Sequence, residues 1–115
     1  MDNAILVPTD FSEVAQNAIQ YAIGLAKQMQ IKKIILFHAW QQPLVVNADI
    51  VNAELLNSEV IREASVDNLK EEKEKLETQL SGSGIDVESI LEYGGLIQGI
   101  ENLCEKVAIS FVVMG

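Results

Sequence analysis

Short apolar runs separated by segments of helix length constrain the fold of this chain most strongly. Residues 4–7 (AILV) and 34–37 (IILF) contain no alternating polar residue, which is typical of strands buried on both faces of a parallel sheet. Residues 111–115 (FVVMG) form a similar run. Residues 85–92 alternate imperfectly between apolar and polar, which favours a half-exposed strand near the sheet edge. Strands alternating with helices predict a parallel α/β sheet with right-handed crossovers.

The segments between these runs predict three helices. Pro8 ends the first strand because it has no backbone N–H, and apolar residues then recur at helical spacing up to Met29. Residues 58–80 form the longest regular segment, and residues 96–107 predict the last helix, whereas residues 44–57 lack a firm period and predict a loop with some helix. The longest segment carries a narrow apolar stripe of Ile61, Val66, Leu69, Leu76 and Leu80. We therefore expect an amphipathic helix there.

The bulk composition limits both the class of protein and its partners. With 115 residues, 49% of them hydrophobic, the chain can bury the core of one domain and does not have a disordered composition. Its formal charge of −9 argues against nucleic acid and anionic membranes as partners, because both repel an acidic surface. The N-terminus is unlike a signal peptide and no apolar stretch approaches membrane-spanning length, so we expect a cytoplasmic protein.

Cys104 is the only cysteine, which excludes a disulfide framework and a thiolate metal cluster within the chain. It shares a predicted helical face with Ile100, Leu103 and Val107. We expect Cys104 to be a small buried hydrophobic residue rather than a reactive thiol.

The turn after the first strand holds the most informative polar residues. Asp10 lies three residues before Glu13, which is a carboxylate version of the capping box, and Ser12 is an equally suitable cap. Asp10 also stands at the carboxyl end of a predicted strand beside a helix N-terminus, where α/β proteins bind ligands. Two interpretations of Asp10 follow from the sequence: it caps the helix, or it faces a ligand.

Several of these segments, taken in order, resemble the universal stress protein family. They are residues 8–12 (PTDFS), residues 36–39 (LFHA), the long charged helix and residues 111–115 (FVVMG). The resemblance implies an open, Rossmann-like sheet of five parallel strands in the order 3-2-1-4-5, of the adenine nucleotide alpha hydrolase-like type. Compared with that pattern, residues 1–115 are expected to form a single incomplete domain, truncated to four strands, with the fifth strand and the last helix missing.

The resemblance also implies a nucleotide site. Members of the family that bind ATP hold adenosine at the carboxyl ends of strands one, two and four. By resemblance Asp10 would contact the adenosine end, and the backbone of Ala39 would face the adenine. The complete set of site residues implied is Pro8, Thr9, Asp10, Ala39, Met114 and Gly115. His38 matches the strand-two histidine of the family, and we expect a structural role for it because the motifs contain no titratable partner for catalysis.

The phosphate-binding part of the family pattern is not matched. Members that bind ATP have a glycine-rich loop, G-x-x-G followed after about nine residues by Gly and Ser or Thr, whose backbone amides approach the phosphates closely. Gly115 would be the first glycine of that loop. Gly94 and Gly95 follow strand three and are better explained by turn geometry. We therefore expect ATP binding in an intact form, and weak or no binding of nucleotide by this chain.

Two further expectations concern partners and catalysis. The fourth strand would form a bare apolar edge, so we expect a homodimer or a strand-exchanged oligomer, and an unstable monomer.

The alternative function is a dimerisation or interaction module that binds no nucleotide. Enzymatic activity is not expected, because the sequence offers no paired acid and base, no metal-ligand cluster and no activated nucleophile, although a weak ATPase activity stays open.

Overall fold

The computed structural model describes residues 3–40 and 48–114, with side chains described for residues 3–40 and 60–114. Four parallel strands form one sheet in the order β3-β2-β1-β4: β1 is Ala4–Pro8, β2 is Lys33–Trp40, β3 is Asp86–Tyr93 and β4 is Ile109–Val112. The helices are α1 (Glu13–Met29), α2 (Ala48–Gln79) and α3 (Leu96–Lys106). The parallel α/β class and the order of the first four strands are confirmed.

The two central strands are buried on both faces, as their unbroken apolar sequence predicts. Every residue of β1 is buried. Ile5 and Val7 lie in one core cluster together with residues of α1 and α2, whereas Leu6 lies in a second cluster with Phe37 and with Leu103 of α3. Since side chains alternate along a strand, this division follows from the strand period. Helices α1 and α2 therefore cover one face of the sheet, and α3 covers the other.

Helix α2 differs from its prediction in both its start and its buried face. It begins at Ala48 rather than at residue 58, so most of the predicted 44–57 loop is helical, and residues 44–47 lie outside the described residues. Val66 is 39% exposed, and the buried positions are Ser65, Leu69, Glu72, Leu76 and Leu80. These positions recur every three or four residues and form one face, from which Val66 lies about 100° away. The prediction that Val66 belongs to the buried stripe is therefore wrong, and the polar residues Ser65 and Glu72 are buried on this face.

Helix α3 packs on the sheet through Gly99 and Leu103, which are buried. Cys104 is exposed, so the prediction of a buried thiol is wrong. Cys104 follows Leu103 and therefore lies about 100° round the helix from it. The helix ends at Lys106, with Val107 as its C-cap residue.

Strands β3 and β4 form the two edges of the described sheet. The edge position predicted for β3 is confirmed, and residues 81–84 lead into it through Gly82 and Gly84, whose φ angles of 82° and 78° suit glycine. Strand β4 pairs with β1 alone among the described strands. Phe111, Val112 and Met114 on or after β4 are exposed. This edge is apolar, as the sequence predicts.

Candidate functional site

An open cleft of about 510 Å³ lies at the carboxyl ends of β1 and β2. β1 pairs with β2 on one side and with β4 on the other, so the strand order reverses at β1. Crevices at such reversal points are the usual ligand sites of open parallel sheets. The cleft is lined by Pro8, Thr9, Asp10, Ser12, Val14, Ala15, His38, Ala39, Leu96 and Met114.

Hydrogen bonds within the β1–α1 turn settle which residue caps the helix. The Thr9 N–H donates to the Phe37 carbonyl at 2.8 Å, which extends the pairing of β1 with β2. Oγ of Ser12 accepts from the Ala15 N–H at 3.2 Å, so Ser12 is the N-cap of α1. Oδ1 of Asp10 accepts from the Ser12 N–H at 3.0 Å, one step before the helix. The capping interpretation of Asp10 is therefore wrong, and its role toward a ligand stays a prediction.

Asp10 presents an exposed carboxylate beside the cleft. Hydrogen bonding from the Ser12 hydroxyl, and after it from the Ser12 backbone N–H, lowers the pKa of Asp10 below its ordinary value of 3.8. The carboxylate is therefore ionised at neutral pH and can only accept hydrogen bonds. Hydroxyl groups of a ligand are suitable donors to it.

His38 connects the end of β2 to the same turn. Its Nδ1 atom lies 2.6 Å from the carbonyl oxygen of Thr9. The His38 ring packs against the ring of Phe11, with centroids 4.5 Å apart and the ring planes tilted by 43°. Phe11 has a φ of 67°, a left-handed conformation that costs a non-glycine residue about 1–3 kcal/mol. The turn therefore contains backbone strain that its contacts must offset.

The backbone of Ala39 offers a donor and an acceptor to the cleft. The last register pair of β1 with β2 joins Pro8 and Phe37, whereas β2 continues to Trp40. The Phe37 carbonyl points toward β1, since it accepts from Thr9. In a parallel ladder the residue two positions along a strand directs its backbone groups to the same side. The N–H and C=O of Ala39 therefore point past the end of β1, on the side of the cleft that Ala39 lines.

The structure brings together five of the six residues that the family resemblance implies. Pro8, Thr9, Asp10, Ala39 and Met114 all line the cleft, and Gly115 lies outside the described residues. The cleft is also lined by residues that the family resemblance does not imply as site residues, namely Ser12, Val14, Ala15, His38 and Leu96. Val14 could have been predicted as a site residue, because it lies in the first turn of α1 and that turn faces the carboxyl ends of the strands.

The described parts of the chain contain neither a cluster of metal-ligating side chains nor a membrane-spanning helix. Within residues 3–40 and 48–114, no group of three or more His, Cys, Asp and Glu side chains is arranged to hold a metal ion. None of the described helices combines the length and apolar composition needed to cross a membrane.

Comparison with known proteins identifies the family. The family model described as "Universal stress protein family" matches residues 1–115. The chain belongs to the universal stress protein family. A comparison with curated proteins gives no match.

Solved structures show how widely this universal stress protein fold is shared. The universal stress protein UspA from Lactobacillus plantarum is 19% identical, with a TM-score of 0.77 over 99% of this chain and 77% of that chain. A protein of the family from Burkholderia pseudomallei is 18% identical, with a TM-score of 0.72 over 97% of this chain and 80% of that chain. A universal stress protein in complex with cAMP is 20% identical, with a TM-score of 0.56 over 96% and 74% of the two chains. At sequence identities of 18–20%, the structural similarity establishes that these proteins share a fold with this chain.

Proposed function

We propose that this universal stress protein domain binds an adenine nucleotide, ATP in its intact form, in the cleft at the carboxyl ends of β1 and β2, as part of a stress response. The observation that carries the proposal is the meeting of the Asp10 carboxylate and the Ala39 backbone on one cleft of about 510 Å³. That volume lies within the range of roughly 300–1,000 Å³ for small-molecule sites.

The polar groups of the cleft match the two ends of adenosine. Adenine offers an amino donor beside a ring-nitrogen acceptor, which the C=O and N–H of Ala39 complement. The ribose hydroxyls are donors, which the ionised carboxylate of Asp10 complements. The base and the sugar would therefore be recognised by separate groups, one on β2 and one in the turn after β1.

Apolar side chains in the cleft also favour binding of the adenine base. Val14 and Met114 are exposed and line the cleft, and Leu96 adds a third apolar side chain at the start of α3. A purine between these side chains would remove part of their apolar surface from water, which is favourable.

The described residues favour recognition of the nucleoside over recognition of phosphates. No Lys or Arg is among the described residues that line the cleft, and Asp10 adds a negative charge there. A related universal stress protein whose structure contains cAMP supports an adenosine phosphate as the ligand class. We therefore expect adenosine and ATP to bind the 115-residue chain weakly and with affinities within about tenfold of each other.

Isothermal titration calorimetry with ATP and with adenosine tests this function. The wild type is compared with Asp10→Ala and with Asp86→Ala, a matched control whose exposed carboxylate lies at the opposite end of the sheet. Asp10→Ala is expected to weaken binding by about tenfold, because a hydrogen bond to a charged group is lost, and Asp86→Ala is expected to bind normally. Equal heats from the wild type and Asp10→Ala would remove Asp10 from the site. No saturable heat with either ligand would reject the nucleotide function.

The open edge of β4 favours a second function, self-association through this strand. We propose that two copies pair edge to edge along β4, because its outer edge has no described partner strand and carries exposed Phe111 and Val112. Sedimentation velocity at micromolar concentration is expected to show a dimer, and Val112→Lys a shift toward monomer. Val60→Lys, on an exposed position of α2, is the control expected to leave the dimer unchanged. A compact, stable wild-type monomer would contradict this proposal.

A further inference from the structure

We propose that His38 is a positioning residue of the nucleotide cleft: its Nδ1–H holds the Thr9 carbonyl and its ring supports Phe11, so that the β1–α1 turn presents Asp10 to the ligand. The proposal rests on the proposed nucleotide function. It extends that function, because it assigns an organising role to a side chain that was expected to be only structural.

The contact with Thr9 fixes the tautomer of the imidazole. A carbonyl oxygen can only accept a hydrogen bond, so Nδ1 must be the protonated nitrogen at a separation of 2.6 Å. Nε2 is then the remaining polar atom of the ring. Because Nδ1 is engaged within the protein, His38 acts on the ligand through the turn rather than through this nitrogen.

The second contact supports the strained residue of the turn. Phe11 has a left-handed backbone with φ at 67°, its N–H donates to Oγ1 of Thr9 at 3.1 Å, and its ring lies against that of His38. Phe11 stands directly between Asp10 and Ser12, the two residues joined by the 3.0 Å bond that orients the carboxylate. A change in the conformation of Phe11 would therefore move Asp10.

The Ala39 N–H has no bond to the Thr9 carbonyl, which is the carbonyl that His38 contacts. Continuation of the parallel ladder would pair the Ala39 N–H with the Thr9 carbonyl, one step after the bond from Thr9 to Phe37. Between these described residues that bond is not formed, and His38 occupies the carbonyl instead. The Thr9 carbonyl therefore contacts His38 rather than Ala39 at the point where adenine is expected to enter.

Two amide substitutions distinguish this role from direct contact with the ligand. In His38→Asn the side-chain nitrogen is bonded to Cγ, as Nδ1 is, so it can still donate to Thr9. In His38→Gln the nitrogen lies one bond farther out, close to the position of Nε2. His38→Asn keeps the bond to Thr9 but lacks the ring that packs against Phe11, so we expect it to bind adenosine and ATP about threefold more weakly than the wild type. His38→Gln loses both contacts, and we expect it to bind at least about tenfold more weakly than the wild type.

The opposite order of affinities, with Gln restoring binding and Asn abolishing it, would overturn the proposal in favour of direct contact through Nε2. Wild-type affinity in both variants would show that His38 has no role in binding. Circular dichroism and urea unfolding establish that each variant is folded before its affinity is compared.

A measurement without ligand separates failure of this proposal from failure of the nucleotide function. ¹⁵N NMR of the imidazole in the wild-type protein is expected to show a proton on Nδ1, and His38→Gln is expected to shift the amide signals of Thr9, Asp10 and Phe11 more than His38→Asn does. A neutral ring protonated on Nε2 alone, or equal shifts in the two variants, would overturn the positioning role even if ATP binds. If those signals are as expected and neither ATP nor adenosine binds the wild type, the nucleotide function fails, and with it the role of His38 in binding.

Discussion

Gly99 of α3 lies so close to the ring of Phe37 in β2 that a Cβ atom at Gly99 would come within 2.6 Å of Cζ. Phe37 is fully buried, so its ring has little room to move. We expect Gly99→Ala to lower the free energy of unfolding by about 1–3 kcal/mol, because overpacking outweighs the gain of about 1 kcal/mol in helix propensity. Urea denaturation measures the change.

Gly24 in α1 is the matched control for this substitution. A Cβ atom there would meet no other atom within 4 Å, and the position is exposed. Gly24→Ala is expected to raise the free energy of unfolding by about 0.5–1 kcal/mol through helix propensity alone. A rise of the same size in Gly99→Ala would contradict the close packing of α3 on Phe37.

The lowered pKa of Asp10 predicts a specific dependence of stability on pH. Because the folded pKa lies below the ordinary value of 3.8, folding favours the ionised carboxylate. Its stabilisation is fully present above that value and is lost as the pH falls through the lower folded pKa. We expect the difference in unfolding free energy between wild type and Asp10→Asn to be constant from about pH 8 to pH 5, and to shrink under more acidic conditions. Urea titrations across this range that show the difference growing as pH falls would contradict the Ser12 hydrogen bonds.

Glu72 of α2 is a buried carboxylate, and we expect an apolar residue at this position to make the fold more stable. It is 6% exposed, its Oε2 accepts from Nε2 of Gln16 at 2.6 Å, and its Oε1 has no hydrogen-bond partner among the described residues. We expect Glu72→Met to raise the free energy of unfolding by about 1 kcal/mol, because a poorly satisfied polar group leaves the core and the exposed Gln16 can turn to solvent.

The neighbouring Glu71 provides the comparison for Glu72→Met. Its exposed side chain pairs with Lys75 at 3.1 Å on the surface of α2. Glu71→Met is expected to change stability by less than about 0.5 kcal/mol, since exposed ion pairs contribute little. Thermal unfolding of both variants gives the comparison, and a loss of stability in Glu72→Met would mean that the Gln16 hydrogen bond outweighs the burial of the carboxylate.

The fold was predictable where a single local pattern determines the environment of a segment. The unbroken apolar runs in β1 and β2 report burial on both faces, and the order of strands follows from the resemblance to a family with that sheet. The buried face of α2 was not predictable from hydrophobicity, because Ser65 and Glu72 occupy it while Val66 does not. Only packing against α1 and the sheet selects that face.

The residues of the site were partly predictable from local patterns, but the hydrogen bonds between them were not. Asp10 and Ser12 have the same capping chemistry, and their spacing does not decide which oxygen receives which N–H group. The contact of His38 with Thr9 depends on the register that pairs Pro8 with Phe37, which joins residues far apart in the chain. Local patterns carry no information on such long-range geometry.

NMR titration of the ¹⁵N-labelled chain with ATP tests the nucleotide site most directly, because each amide reports on its own surroundings. Binding in the cleft predicts saturable shifts at the amides of Thr9, Asp10, Ala39 and Met114, and unchanged signals at the opposite end of the sheet. That end carries Lys32 and Lys33 beside a separate pocket, which is where the phosphates would be attracted by charge alone. Shifts confined to Lys32, Lys33 and Asp86, or no saturable shifts at all, would contradict a nucleotide site at the carboxyl ends of β1 and β2.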